Sequence, residues 1–227
     1  MNCFIIGDSH TGSLKRAWDS ISKKQQAIKF TFFDSTTDTM KDLILDDDRL
    51  VPSTPFLEKN IAITSGGLRA IPIKSAEAIL IYSLGIRFPR IPVGVTAAAI
   101  VATCRDILRD SIGYRLAAEI RSISDVPLFL GNKPQRVDVV DKAHLADYVP
   151  MHILSEVMQQ QIGISNTRLV SQPPSTLADP LNTEFSFSTN PKSLRSGSRK
   201  EPDGSHMNEE YGKEYMNHFI TEAFQQC

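Results

Sequence analysis

A chain of 227 residues, 41% of them hydrophobic, can bury one full α/β core. Its 25 basic and 26 acidic residues leave a formal charge of -1, which argues against a nucleic-acid partner and against an acidic disordered tail. The three cysteines, Cys3, Cys104 and Cys227, lie far apart and outside any CxxC or Cys/His pattern, so a zinc module and a disulfide scaffold are not expected.

The reading along the chain starts with CFII at 3–6, a buried strand that stops at Gly7-Asp8-Ser9-His10, where a helical pattern begins. No basic leader precedes it, and the longest apolar run, near 93–102, is too short to span a bilayer. The expectation is a cytoplasmic chain without cofactor or metal and without a membrane or nucleic-acid partner. A second strand is expected at 29–33. Residues 34–59 break the rhythm with Asp46-Asp47-Asp48, Pro52 and Pro55 and read as an irregular excursion. The acidic triplet lacks the alternate spacing of a calcium loop, which leaves a solvated turn.

Further strands are expected at 61–64 and 78–83. A long helix at 96–123 follows, with Ile100, Cys104, Ile107, Leu108 and Ile112 at spacings of three and four and Gly113 as its break or bend. Then come a strand at 126–130, a helix at 141–162 and a strand at 168–171. Residues 173–202 are rich in Pro, Ser, Thr and Asn and read as a long loop with a short extended piece at 184–188. The last helix, 208–224, sets Tyr211, Tyr215, Phe219 and Ala223 on one stripe. Strands alternating with helices predict one α/β domain over 1–227, its mostly parallel sheet covered on both faces.

The corner GDSHTGS admits three readings. A phosphate-cradling loop would need Gly-Lys-Ser/Thr, but Ser13 and Leu14 follow Gly12 and Lys15 comes too late. Ser9 can cap the following helix. It can also be a nucleophile beside a helix N-terminus whose amides stabilise an oxyanion, provided a histidine oriented by a carboxylate serves as base. Of the five histidines, His10 adjoins Ser9, His144 and His152 lie on a helical stretch, and His218 lies inside the last helix. His206 stands on the turn before that helix, in EPDGSHMNEEYG, with Asp203 three residues earlier. A capped turn is the alternative reading of that segment.

GDSH after the first strand together with DGSHMNEEYG before the last helix resembles the SGNH (GDSL-like) hydrolases. That resemblance implies a flavodoxin-like three-layer α/β/α sandwich and ester hydrolysis through an acyl-enzyme. Ser9 would be the nucleophile, His206 the general base and acid, and Asp203 its orienting partner. The implied oxyanion hole combines the Ser9 amide, a glycine amide at Gly66 or Gly67, and an asparagine side chain. Where that asparagine is expected, SLGIRF supplies Arg87. Either Arg87 donates instead, or Asn132 in FLGNKP leans in, or the site is catalytically weak; Arg87 is preferred. Asp8, His10, Arg195 and Arg199 are the candidate substrate contacts, with Lys192 and Lys200 near the last two. The expected substrate is a small O-acyl ester of a carbohydrate or similar polar molecule. An acyltransferase using the same residues and a binding or regulatory protein on the same fold are the alternatives.

Overall fold

The computed structural model describes residues 1–21, 27–137, 142–193, 197–198 and 206–224. In chain order the elements are β1 (Asn2–Gly7), α1 (Thr11–Ser20), β2 (Lys29–Asp34), α2 (Thr37–Met40), β3 (Leu43–Asp46), β4 (Arg49–Pro52), α3 (Pro55–Ser65), β5 (Ile71–Pro72) and β6 (Ala78–Tyr82). Next come α4 (Ala97–Arg109), α5 (Ile112–Arg121), β7 (Leu128–Gly131), α6 (Met151–Gln161), β8 (Thr167–Val170), β9 (Leu177–Asp179) and β10 (Asn182–Thr183). The short pair β11 (Lys192–Ser193) and β12 (Gly197–Ser198) and the long helix α7 (Glu209–Phe224) complete them.

Five strands form one parallel sheet in the order β2-β1-β6-β7-β8. Side chains alternate between its faces, as the twofold period of a strand requires. Cys3, Ile5, Leu80, Tyr82 and Phe129 face a layer made of α1 and α7, where they meet Leu14, Trp18, Tyr211, Tyr215 and Phe219. Phe4, Ile6, Ile79, Ile81, Leu128 and Leu130 face the opposite layer, built from α3, α4, α5 and α6 through Ile61, Cys104, Leu116, Ile120, Leu154 and Met158. The result is the expected three-layer α/β/α sandwich. Among the described residues no helix is long and apolar enough to cross a membrane.

Strands at 3–6, 29–33, 78–83, 126–130 and 168–171 appear within two residues of their expected bounds. The segment 61–64 does not. It lies in α3, because Thr54 accepts a hydrogen bond from the Leu57 amide as N-cap and Pro55 opens the first turn, a start signal that outweighs the β-branched run IAIT. The helix expected over 96–123 is two helices. The break falls at Asp110-Ser111, where the Ser111 hydroxyl accepts from the Tyr114 amide at 3.0 Å, and Gly113 sits inside α5. Within 141–162 a 3₁₀ turn at Lys142–Asp147 precedes α6, which starts after Pro150. The excursion at 34–59 holds α2, the β3–β4 hairpin and half of α3, with Asp47 at φ 52° in the hairpin turn. The piece expected to extend at 184–188 is a 3₁₀ turn, Phe185–Ser188.

Helix α7 docks on the sheet through two fully buried tyrosines, Tyr211 and Tyr215, which meet the buried Tyr82 of β6. Tyr215 donates from its hydroxyl to the Val170 carbonyl at 3.0 Å and meets Tyr82 edge-on at 4.8 Å between ring centres. Burial pushes the phenols of Tyr82, Tyr211 and Tyr215 up, so all three stay neutral donors. One turn earlier α7 presses on α1: a Cβ on Gly212 would collide with the Ser13 carbonyl and stand 3.0 Å from the Ala17 side chain. Only a residue without a side chain allows that approach. Gly212→Ala should therefore lower stability by about 1–3 kcal/mol in a urea titration, through a forced separation of the two helices.

Candidate functional site

The chain runs out along β1 to β2, then crosses back past β1 to β6, so β1 and β6 flank the point where strand order reverses. In such sheets the crevice beyond the carboxyl ends of those two strands is the natural binding place. Gly7 pairs with Tyr82 in the ladder, and the next residues, Asp8 and Ser83, close the crevice floor: the Ser83 hydroxyl donates to Asp8 Oδ2 at 2.9 Å.

Asp8 organises the corner. It is 2% exposed, its Oδ1 accepts the His10 amide at 3.0 Å, and its Oδ2 also accepts the Thr37 hydroxyl at 2.7 Å. Thr11 donates to the Asp8 carbonyl at 2.8 Å and to Asp34 Oδ2 at 2.5 Å. Three segments, after β1, β2 and β6, are thus tied to one carboxylate and its neighbour. The segment after β6 holds two non-glycine residues at positive φ, Ser83 at 69° and Leu84 at 37°, a conformation that costs energy and persists only where its surroundings enforce it. A Cβ on Gly7 would collide with the Thr11 side chain and stand 2.7 Å from the Tyr82 carbonyl, which accounts for glycine before Asp8.

Ser9 does not cap α1. The N-cap is His10, and the Ser9 hydroxyl lies 3.0 Å from His206 Nε2 across 197 positions of sequence. His206 is delivered by a braced segment. Arg16 donates to the Met207 carbonyl at 3.4 Å, Met207 is buried, and the Asn208 side chain accepts the Tyr211 amide at 3.1 Å. The Asn208 amide and side chain also donate to the Phe187 and Ser186 carbonyls, both at 2.8 Å. The His10 ring stacks on that of His206, 4.7 Å between centres and 12° between planes. Asp203, Arg195, Arg199 and Lys200 lie outside the described residues, as does the Lys192 side chain.

Several expectations need correction. Gly66 and Gly67 terminate α3, and both amides donate to the Ala62 carbonyl, so neither is available to an oxyanion. Asn132 is fully buried; it donates to the Lys133 carbonyl and accepts the Gln172 amide, both at 2.8 Å, and thereby ties the ends of β7 and β8 together. Asp8 and His10, expected as substrate contacts, are both buried: Asp8 binds the corner and lines the cavity beside it, and His10 stacks on the His206 ring. Lys15 pairs with Asp19 one turn along α1 and so faces away from a phosphate loop. The exposed Arg87 lines a cavity of about 340 Å³ together with Asp8, Thr37, Ser83, Gly85 and Lys133. Thr37, Ser83 and Lys133 were not found from sequence; the one legible signal was the turn SLG closing an apolar strand. His144 contacts Asp147, while His152 and His218 line a separate cavity of about 610 Å³.

No protein-family model and no curated protein matches the chain. Solved structures do. The periplasmic domain of a lipopolysaccharide acetyltransferase from Salmonella ser. Paratyphi A superposes with a TM-score of 0.50 at 12% identity, over 97% of this chain and 82% of that one. A carbohydrate esterase family 2 enzyme with a carbohydrate-binding domain, from Corynascus thermopiles (Myceliophthora fergusii), gives 0.47 at 13% identity over 97% of this chain. A carbohydrate acetylesterase family member from Sinorhizobium meliloti gives 0.44 at 9% identity, over 99% and 98% of the two chains. The chain spans 64% of the length of the family 2 esterase. The likeness to the acetyltransferase domain shows the fold alone, an α/β/α sandwich around a mostly parallel sheet.

The network around Asp8 is open to test. Asparagine keeps one acceptor and turns an N–H₂ toward donors, so Asp8→Asn should cost about 1–3 kcal/mol in thermal or urea unfolding. Ser83→Ala, which removes one of the three donors, should cost less.

Proposed function

We propose that the protein is a serine esterase that works through an acyl-enzyme, on small O-acyl groups, acetyl foremost, carried by a carbohydrate or similar polar molecule. The single observation that carries this reading is the 3.0 Å approach of Ser9 Oγ to His206 Nε2 at the reversal point of the sheet.

With the imidazole neutral and its proton on Nδ1, the Ser9 hydroxyl donates to Nε2 and attacks the acyl carbon as His206 takes the proton. Collapse of the tetrahedral adduct breaks the bond to the alcohol oxygen, which leaves with the proton from His206. Water then enters, gives a proton to His206 and attacks the acyl carbon; the acid departs and the Ser9 hydroxyl is restored. Asp203 is the carboxylate for Nδ1 in this scheme. The Ser9 amide, at the start of α1, meets the oxyanion on the side where the helix field favours negative charge. Arg87 is the second donor we propose, in place of an asparagine. The His10 ring, stacked on His206, limits how far the base can swing away.

Transfer of the acyl group to a second alcohol uses the same residues and differs only in the nucleophile of the second step. The acetyltransferase among the fold neighbours motivates that reading; a carbohydrate acceptor that diverts acyl groups from water would establish it.

A fluorophosphonate probe should label Ser9, with labelling lost in Ser9→Ala. His206→Ala should slow turnover of a chromogenic acetate by about 10²–10⁴-fold or more. The kcat/KM should fall on acidification, because a protonated imidazole cannot accept the serine proton. A Ser9→Ala protein that still takes up probe at another serine would refute the scheme.

A further inference from the structure

We infer that the cleft leading away from the Ser9 corner is a subsite for an anionic sugar, one bearing carboxylate or phosphate groups. The inference deepens the esterase reading by naming the alcohol that would carry the acyl group, and binding alone tests it. Two hollows adjoin there. The inner one, about 340 Å³, begins at Asp8, the residue before Ser9; the outer one, about 400 Å³, opens beyond it; and Arg87, Ile107 and Lys133 line both. Arg90 and Arg136 add two more cations to the outer hollow.

Among the described residues none of these four cations forms a salt bridge. Among the described residues two carboxylates line the inner hollow, Asp110 and Asp8, and Asp8 is already engaged by three protein donors. No carboxylate among the described residues lines the outer hollow. In a chain whose charges nearly balance, this concentration is local. Like charges gathered in a concave wall repel one another and focus a positive field, and an anion relieves both effects. Three of the four are arginines, whose planar fork matches carboxylate and phosphate oxygens.

The cations are held on the sheet. Arg87 and Arg90 follow β6, Lys133 and Arg136 follow β7, and the Lys133 amide donates to the Ile86 carbonyl at 2.7 Å, clamping the two segments together. The Gln135 amide donates to Gln172 Oε1 at 2.8 Å, extending the clamp to β8. Between the cations the lining is Phe88, Pro89, Pro134 and Ile107. Apolar floor with cationic rim suits a sugar ring, apolar on its faces and anionic at its edge. Phe88 is only 6% exposed, which leaves no stacking platform for the bases of a nucleic acid.

Calorimetric titration of the full chain at low salt, with trigalacturonate, maltotriose and phosphorylated maltotriose, tests this. An anionic trisaccharide should bind at least about tenfold more tightly than maltotriose. The preference should vanish near 1 M salt, where the Debye length is about 3 Å, and in the Arg90→Glu/Arg136→Glu double variant, whose circular dichroism should match the parent's. Whether trigalacturonate or the phosphorylated sugar binds tells which anion the site takes. Equal binding of charged and neutral sugars, no binding of any, or undiminished binding in the reversed variant overturns the inference. Ser9 labelling without anion preference would remove the subsite and leave the esterase; salt-sensitive anion binding without Ser9 labelling would do the reverse.

Discussion

The approach of α7 to α1 is the constraint on which the site depends. The Ser9 hydroxyl is fixed by β1 and the start of α1, whereas His206 belongs to a segment that reaches the site from the far end of the chain. A free loop would leave the imidazole to sample many positions, and each ångström of error at a proton-transfer contact is expensive. What removes that freedom is packing downstream: Gly212 against the Ser13 backbone, then Tyr211, Tyr215 and Phe219 against the sheet. Each of those aromatic burials is worth about 1.5–3 kcal/mol, far more than the Ser9–His206 hydrogen bond itself contributes. The contact is a consequence of the core and not a source of stability.

The other half of the site rests on a buried carboxylate. Asp8 gathers an amide and two hydroxyls, from segments that follow three different strands, and in doing so pins the corner. Burying a carboxylate is costly unless its oxygens are satisfied, and here the partners do so without a cation. Asp8 is held by neutral donors, whereas Arg87, Arg90, Lys133 and Arg136 line the hollows beyond. In the reading we propose, a substrate would enter from the cleft with its anionic edge held outside and its ester toward Ser9. Buried Asp8 and exposed Arg87 line one cavity.

Much of this was legible in the sequence, for definite reasons. The sheet strands were visible because buried parallel strands are nearly uniform apolar runs, as in CFII and AILIY. Ser9 and His206 were visible because each stands where an apolar pattern meets a turn. What stayed hidden depends on partners remote in sequence. Nothing in GDSH says that Asp8 will accept from Thr37 and Ser83. Gly66-Gly67 was read as a corner near the site when it ends a helix, since IAIT has strand composition and the deciding signal, Thr54-Pro55, lies seven residues upstream. Asn132 was attractive because it closes a strand, yet the same position let it serve as the tie between β7 and β8.

The distribution of that failure is informative. The misread residues, Gly66, Gly67 and Asn132, were all assigned to stabilise an oxyanion; both glycine amides and one N–H of the Asn132 carboxamide go to backbone carbonyls. A backbone acceptor already in place at 2.8 Å is not given up for a transient charge unless the structure moves. In the esterase reading we propose, oxyanion stabilisation falls to groups that do not close secondary structure: the Ser9 amide, ahead of the first helical hydrogen bonds, and an exposed side chain such as Arg87. Its planar fork of N–H donors stands in the wall shared by the two hollows. In the reading we propose, one guanidinium would link recognition of an anionic alcohol to charge stabilisation at the acyl carbon.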